Sequence, residues 1–398
     1  MKNPSPAQLA ALRARAEHIR RSLPPLTRGD DGLLTKQSSG ALRDAAQRIL
    51  RRERAVGASL VLLHPGRQTQ TFCFGHARLS PKVPVTPQTC FRVASVSKLV
   101  MTFGALSLCR DGLLQLDTDI SAYLGYPVRS PHHPDIPITL RMLLTHTSAI
   151  RDEGNYGTRG MEKGCTLLEL LDNPDNWLPD PPGNTFHYSN LGAGVAGVVM
   201  ECAAAQPFET ILRERVFSPL SIRASYDPAR IFPAQDLSDG YSVRAFFPPR
   251  KKYDAAALSA KPPQGFHPET DFLIAAGRMI TDSDGMGKLL RLLASSEDTP
   301  VLPKELLALM RAPQDGTHGI APMARGLNTA YLPSVFPGVS PVGHQGVAYG
   351  MCAELFADPA AGCGVGVMTS GVRLTPCPPL MRAGFDLLAL GFAALTTD

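Results

Sequence analysis

The distribution of predicted strands is the feature of this sequence that most constrains its fold. Apolar, β-prone runs lie near both ends of the chain, and a long Pro- and Leu-rich section separates them. The runs cover residues 57–63 and 68–74, joined through His64-Pro65-Gly66, and residues 347–356 and 362–368. We therefore expect an α+β fold, in which an antiparallel sheet flanked by helices is built from both chain ends and carries an inserted all-α region.

Helical patterns complete this outline, and the chain is long enough to bury a substantial core, since 44% of its 398 residues are hydrophobic. Helices are predicted at residues 7–23, 43–54, 99–108, 140–144, 191–202 and 380–390. We expect an N-terminal helical extension over residues 1–38 and a main domain over residues 39–398. The α/β part of that domain is predicted at about 39–108 and 272–398, and its mainly helical insert at about 109–271.

The composition argues against several classes of function. No apolar run reaches the roughly 18 residues of a membrane span, so no stable span is expected. The formal charge of +5 is modest, and no aromatic interleaving or recognition motif points to nucleic-acid binding. The eight cysteines form no close metal-ligand pair, so neither a metal nor a cofactor is expected. Residues 1–29 lack a secretory signal, which predicts a cytoplasmic protein unless a leader was removed.

One short motif suggests chemistry. Ser95-Val96-Ser97-Lys98 is the one Ser-x-x-Lys in the chain, and it begins a predicted helix. Residues three apart lie on one face of a helix, so Lys98 can place its amine beside the Ser95 hydroxyl. A serine hydroxyl needs a neighbouring base before it can attack a carbonyl, and lysine serves when its pKa is lowered. Alone, this motif is more typical of an ordinary N-cap than of a nucleophile.

Two further motifs follow in order. Tyr188 is the one tyrosine of nine that has an asparagine two residues later, Asn190, and the third motif is His344-Gln345-Gly346. This order resembles that of the class C β-lactamase-related serine hydrolases, which include penicillin-binding proteins, D-Ala-D-Ala carboxypeptidases and family VIII carboxylesterases. The resemblance runs from about Ala41 to the C-terminus. Flanking matches support it: Phe91-Arg92-Val93-Ala94, Leu143-Leu144-Thr145-His146-Thr147-Ser148 and Pro182-Gly183-Asn184-Thr185-Phe186-His187.

The resemblance implies a role for each motif. Ser95 would be the nucleophile, Lys98 and Tyr188 would handle the proton together, and Asn190 would hold Lys98 and a substrate carbonyl. The second oxyanion donor, beside the N–H of Ser95, would be the N–H of Val347. His344, Gln345 and Gly346 would contact the substrate, with Gly346 allowing its close approach. His146 and Ser148 are interpreted as structural.

The implied activity is hydrolysis of a small ester or amide through an acyl-Ser95 intermediate. Gln345 replaces the threonine usual in penicillin-processing members, and His344 replaces a lysine, which makes recognition of a substrate carboxylate less expected. A carboxylesterase is therefore favoured over a D-Ala-D-Ala carboxypeptidase, a D-amino-acid peptidase or a β-lactamase. Part of residues 226–272 is expected to line or cover the acyl pocket. A catalytically silent binding or assembly protein on the same fold is the alternative of another class.

Overall fold

The computed structural model of the protein describes residues 5–66, 68–153, 165–231, 233–260, 272–314 and 325–396. Its helices are α1 (Pro6–Arg21), α2 (Lys36–Arg52), α3 (Val96–Arg110), α4 (Ser121–Leu124), α5 (Leu140–Leu144), α6 (Leu167–Leu171), α7 (Asn190–Ala204), α8 (Phe208–Leu212), α9 (Ser218–Leu220), α10 (Ala255–Ser259), α11 (Ile274–Gly277), α12 (Ser283–Ala294), α13 (Lys304–Arg311) and α14 (Arg382–Thr396).

The longer strands form one sheet. They are β1 (Gly57–Leu63), β2 (Thr69–Leu79), β3 (Lys82–Pro84), β11 (Arg325–Gly326), β12 (Thr329–Tyr331), β13 (Val342–Ala348), β14 (Met351–Asp358) and β15 (Cys363–Gly371). The short strands elsewhere are β4 (Phe91–Arg92), β5 (Arg129–Ser130), β6 (His133–Pro137), β7 (Ala224–Ser225), β8 (Gly240–Ser242), β9 (Arg250–Tyr253), β10 (Ile280–Thr281), β16 (Pro376–Cys377) and β17 (Leu380–Met381).

The eight-stranded sheet joins the two ends of the chain. Its order is β11-β12-β13-β14-β15-β1-β2-β3, and all its neighbouring strands are antiparallel. Strand β1 pairs with β15, which brings Leu60 opposite Val367 although some 300 residues separate them. The prediction of an antiparallel sheet built from both chain ends and flanked by helices is therefore confirmed.

Helices cover both faces of the sheet. Along β1, Leu60 and Leu62 pack in one apolar cluster with α1, α2 and α14, whereas Val61 and Leu63 pack in another with α3 and α12. Successive side chains of a strand point to opposite faces, so a strand covered on both sides is apolar throughout. All seven residues of β1 are buried, as this arrangement requires.

The N-terminal helix is packed onto the body of the protein. Leu12 and Ala16 of α1 are buried, and Arg15 donates two hydrogen bonds to Asp386 of α14, one of them of 2.7 Å. Arg52 also pairs with this fully buried carboxylate. The boundary predicted between residues 38 and 39 falls inside α2, and the division into an extension and a main domain stays a prediction.

One predicted strand is two strands in the structure. The run at 347–356 contains a tight turn at Tyr349 and Gly350, both of which have positive φ, 54° and 87°. Two such residues are typical of the turns that join hairpin strands with a right-handed twist. The prediction of a continuous strand was wrong because a tyrosine is an uncommon residue at the first of these positions.

Within the described ranges, no single helix is both long and apolar enough to cross a membrane. The helices Asn190–Ala204 and Phe208–Leu220, bent by 80°, meet that test by length and composition only as a pair.

Candidate active site

Ser95 stands at the N-terminus of the buried helix α3. Its side chain makes no capping hydrogen bond, and the residue is partly exposed, so its hydroxyl is available. The preceding residue, Ala94, has a φ of 47°, in the left-handed region that non-glycine residues seldom adopt. Two hydrogen bonds to Ser97 stabilise the turn into the helix. The N–H of Met279 donates to Ser97 Oγ (3.0 Å), and the Tyr226 hydroxyl donates to the Ser97 carbonyl (2.7 Å).

Lys98 lies one helical turn further on and is fully buried. Its Nζ is 3.2 Å from Ser95 Oγ, 2.8 Å from Asn190 Oδ1, and also within hydrogen-bond distance of the Ala276 carbonyl oxygen. Burial lowers the pKa of Lys98 from 10.5 to about 7, and the negative charge of Asp152 opposes this shift.

The three partners of Lys98 suit a neutral amine. The Asn190 and Ala276 oxygens can only accept, so they take the two hydrogens of an uncharged amine. The remaining lone pair then faces the Ser95 hydroxyl, which is the arrangement that a general base requires.

Asp152 determines how Asn190 is oriented. Its carboxylate accepts hydrogen bonds from the Asn190 side chain (2.8 Å), from the backbone N–H groups of Asn190 and Leu191, and from the Ser189 hydroxyl, each at 2.9 Å. Because a carboxylate accepts from the amide NH2 of Asn190, the amide oxygen must point to Lys98. The same carboxylate serves the otherwise unpaired N–H groups at the start of α7.

Tyr188 lies beside the Lys98 amine. Lys98 Nζ is 4.9 Å from the centre of the Tyr188 ring, and the His146 ring packs against that ring at 4.5 Å. Burial raises the pKa of Tyr188 above its ordinary value, while the Ser95 side chain and the positive charge of Arg325 oppose the rise. The phenol therefore keeps its proton at neutral pH.

Strand β13 brings the third motif to this cluster. His344 is buried, its ring lies 6.3 Å from that of Tyr188, and burial together with the charge of Lys98 lowers its pKa to about 3. The imidazole is thus uncharged at neutral pH. Its Nδ1 donates to the Gln345 carbonyl (2.6 Å), since a carbonyl can only accept.

Gly346 and Val347 follow on the same strand. A Cβ added to Gly346 would overlap the Val93 carbonyl and lie 2.9 Å from the Ser95 nitrogen. We expected glycine here for the approach of a substrate, but contact between two backbones already requires it. This contact sets the half-buried Val347 beside the segment that leads into Ser95.

Gln345 does not face the cluster. Neighbouring residues of a strand point to opposite faces, so Gln345 points away from His344 towards Glu354 of β14, to which its Nε2 donates a hydrogen bond (2.5 Å). Both side chains are buried, and the Glu354 carboxyl occupies the space left by Gly384 of α14. The prediction that the Gln345 side chain contacts a substrate is therefore corrected.

The buried Glu354 makes the stability of the protein depend on pH. Burial raises the pKa of Glu354 to about 8, so between pH 4.5 and 8 the folded protein holds a proton that the unfolded chain loses. Stability contributed by this group therefore falls as pH rises through that window, by up to about 1.4 kcal/mol per pH unit. Glu354→Gln should remove this dependence, so that urea unfolding shows the variant gaining on the wild type from pH 5 to 8.

The contact geometry supports this expectation. Gln345 Oε1 and Glu354 Oε2 have no hydrogen-bond partner among the described residues. A proton on Glu354, or an amide in its place, supplies a donor for this buried pair. The control is Glu214→Gln, at an exposed carboxylate beside Arg213. Equal pH slopes for wild type and Glu354→Gln would contradict the argument.

Asp152 is expected to act on the reaction through Asn190 and Lys98. Asp152→Asn removes a negative charge that raises the pKa of Lys98, so the alkaline rise in kcat/KM should move to lower pH. The lost alignment of Asn190 should also lower kcat/KM about 100-fold. The neighbouring exposed residue offers a matched control, Glu153→Gln, for which neither change is expected. An Asp152→Asn variant with lower activity but an unmoved pH midpoint would point to a purely structural role.

The structure brings most of the predicted site together. Ser95, Lys98, Tyr188, Asn190 and His344 form one cluster, with Gly346 and Val347 at its edge, and Gln345 is turned away. Sequence reasoning missed Asp152, the Ala276 carbonyl and Arg325, whose guanidinium lies 4.1 Å above the Phe186 ring. No motif marks these three groups, although Asp152 closely follows the Leu143–Ser148 match.

The described part of the chain contains no group of three or more His, Cys, Asp or Glu side chains that could hold a metal ion. Ser148 is buried, and its interpretation as structural stays a prediction.

The chain resembles known proteins both in sequence and in fold. The family model described as Beta-lactamase matches residues 42–383. Esterase EstB of Burkholderia gladioli is 28% identical over 372 residues, which cover 85% of this chain and 92% of the esterase. The structure of EstCE1, described as a hydrolase with promiscuous acyltransferase activity, superimposes with a TM-score of 0.70 at 22% identity, covering 98% of this chain and all of that one.

D-amino acid amidase from Ochrobactrum anthropi SV3, solved with D-phenylalanine, superimposes with a TM-score of 0.66 at 24% identity. The match covers 88% of this chain and 98% of the amidase. At these identities the two structures establish the fold that is shared, which is the β-lactamase/transpeptidase-like fold.

Proposed function

Because the chain belongs to the beta-lactamase family, whose members include serine hydrolases, we propose that it hydrolyses small esters through an acyl-Ser95 intermediate. The observation that carries the proposal is the position of the Lys98 amine, 3.2 Å from Ser95 Oγ with both its hydrogens committed to other acceptors.

Acylation begins with transfer of the Ser95 hydroxyl proton to the Lys98 lone pair. The Ser95 oxygen bonds to the acyl carbon, and the carbonyl π electrons move to oxygen. The resulting oxyanion is stabilised by the N–H of Ser95, at the positive end of α3, and by the N–H of Val347. Contact of Gly346 with the segment before Ser95 supports this pairing of donors.

The leaving group departs as the tetrahedral intermediate collapses. Its oxygen takes a proton from Tyr188, which is protonated at neutral pH and is re-protonated through Lys98. Water then attacks the acyl-Ser95 carbonyl and gives up a proton to the same pair, which delivers a proton to Ser95 Oγ as the acid is released. Lys98 and Tyr188 act here as one proton-handling unit.

The third motif supports esters over carboxylate-bearing peptides and β-lactams. The His344 imidazole is uncharged at neutral pH, and Gln345 is committed to Glu354 on the other face of the sheet. Neither side chain therefore offers a donor or a charge of the kind that would hold a carboxylate at this motif.

The test is to compare turnover of p-nitrophenyl butyrate, a D-phenylalanine amide and nitrocefin, and to record the intact mass and the proteolytic peptide masses of protein quenched during ester turnover. We expect ester hydrolysis to be fastest, and an added mass of one acyl group on the peptide that contains Ser95. Preference for the amide or for nitrocefin would overturn the choice of substrate. No acyl adduct and no turnover of the three would support a silent binding protein.

A further inference from the structure

A cavity of about 710 Å³ plays no part in the proposed hydrolysis. It lies between the turn that joins β13 to β14 and strand β9 with the segment that follows it. Its lining includes Arg92, three residues before Ser95, and Tyr349, two residues after Val347. The lining also includes Tyr253, Lys252, Arg278, Asp227 and Asp254.

Arg92 is the cation that two aromatic rings enclose in this cavity. Its guanidinium lies 4.9 Å from the centre of the Tyr349 ring and 5.4 Å from that of Tyr253, and its Nε donates to the Gly277 carbonyl (2.8 Å). No carboxylate lies within 4.0 Å of this guanidinium in the described ranges. Burial lowers the pKa of Arg92, and the charge of Arg278 lowers it further, while the two tyrosines oppose these effects.

The two carboxylates of the lining have other partners. Asp227 accepts the Ala229 N–H (3.0 Å) and lies 3.9 Å from Arg230. Asp254 accepts the Ala257 N–H (3.1 Å) and pairs with Lys251 (3.2 Å). Among the described residues, the positive charge of Arg92 is therefore not paired with a carboxylate, and a cation enclosed by protein is stabilised when an anion pairs with it.

The position of the cavity indicates which part of a substrate reaches it. The leaving group departs towards Tyr188, whereas Arg92 and Tyr349 belong to the two segments that carry the oxyanion donors, those of Ser95 and Val347. At the carbonyl carbon the oxyanion points to these donors and the leaving group to Tyr188, so the acyl chain takes the remaining direction. The cavity is lined from both of the segments that hold that carbon.

We infer that the cavity binds a carboxylate at the far end of the substrate's acyl chain, with Arg92 as its main partner and the tyrosine rings against the methylene groups. The substrates would be monoesters of dicarboxylic acids. This inference rests on the proposed function. It places the substrate carboxylate at the far end of the acyl chain, whereas the uncharged third motif lies near the reacting carbonyl.

The test compares pairs of p-nitrophenyl esters of equal acyl length, one neutral and one with a terminal carboxylate. The carboxylate series is the mono-esters of glutaric, adipic and pimelic acid, and the neutral series is the pentanoate, hexanoate and heptanoate. We expect the wild type to favour at least one anionic ester by about 10-fold to 100-fold in kcat/KM, the range typical of a charge-assisted hydrogen bond. Arg92→Gln should abolish that preference, and Arg92→Lys should keep part of it.

The matched control is Arg43→Gln on α2. This guanidinium also stacks on two rings, at 5.6 Å from Phe72 and 5.4 Å from Phe74, but it does not line the cavity, so the preference should persist. Equal turnover of both series by the wild type, or an equal loss for both in Arg92→Gln, would overturn the inference. If instead the proposed function were wrong, Ser95-dependent turnover of the neutral esters would be absent as well, which distinguishes the two outcomes.

Binding of a dicarboxylate without turnover provides a second test. Adipate should raise the thermal unfolding temperature of the wild type and of Ser95→Ala, but not that of Arg92→Gln. No shift in wild type or Ser95→Ala would contradict the inference.

Discussion

Replacing Ser95 by alanine is expected to abolish ester hydrolysis while leaving the protein folded. Loss of a covalent nucleophile lowers kcat by on the order of 10⁶. The cost in stability should be small, because the Ser95 hydroxyl caps no helix and its contact with Lys98 Nζ is a long one, 3.2 Å. Initial rates with p-nitrophenyl butyrate and the thermal unfolding temperature check the two halves of this prediction.

Ser97→Ala is the contrasting variant, two residues away. Ser97 is fully buried, accepts the Met279 N–H and donates to the Ala94 carbonyl, so its loss leaves buried polar groups unpaired. We expect it to lower stability by about 1–3 kcal/mol and to retain much more turnover than Ser95→Ala. Comparable turnover in wild type and Ser95→Ala would refute Ser95 as the nucleophile.

Replacing Lys98 by methionine is expected to lower kcat/KM by about 10²-fold to 10⁴-fold, the usual contribution of a general base. In the wild type, Lys98 must lose its proton to act, so kcat/KM should rise with pH through a midpoint near the Lys98 pKa of about 7. That rise should be absent from Lys98→Met. Rates measured from pH 5 to 9 with a neutral ester give both results.

The Lys98→Arg variant distinguishes a role of Lys98 as the general base from a role as a fixed positive charge. A guanidinium stays protonated throughout this pH range, so it preserves the charge but cannot accept the Ser95 proton. We expect Lys98→Arg to be as inactive as Lys98→Met. If the arginine variant kept most of the activity, Lys98 would act as a cation near the oxyanion rather than as the base.

The parts of the fold that the sequence predicted depend on local patterns. The strand at 57–63 was predicted at its observed bounds, because a strand that is buried on both faces is a continuous apolar run. The helix that follows Ser95 was equally clear, since every residue from Val96 to Leu108 is buried. The turn at Tyr349 and Gly350 was missed because its backbone geometry results from the pairing of β13 with β14, not from a common turn sequence.

The pairing of Ser95 with Lys98 was determined by the sequence alone, because three residues of helix bring the two side chains to one face. Tyr188, Asn190 and His344 could be named from their motifs, but only tertiary structure brings them within reach of Lys98. Asp152 carries no motif, because its role depends on where a loop meets the start of α7. The tertiary structure alone decided that Gln345 turns from the site, since the pleat of β13 gives neighbouring residues opposite faces and Glu354 is paired beside it.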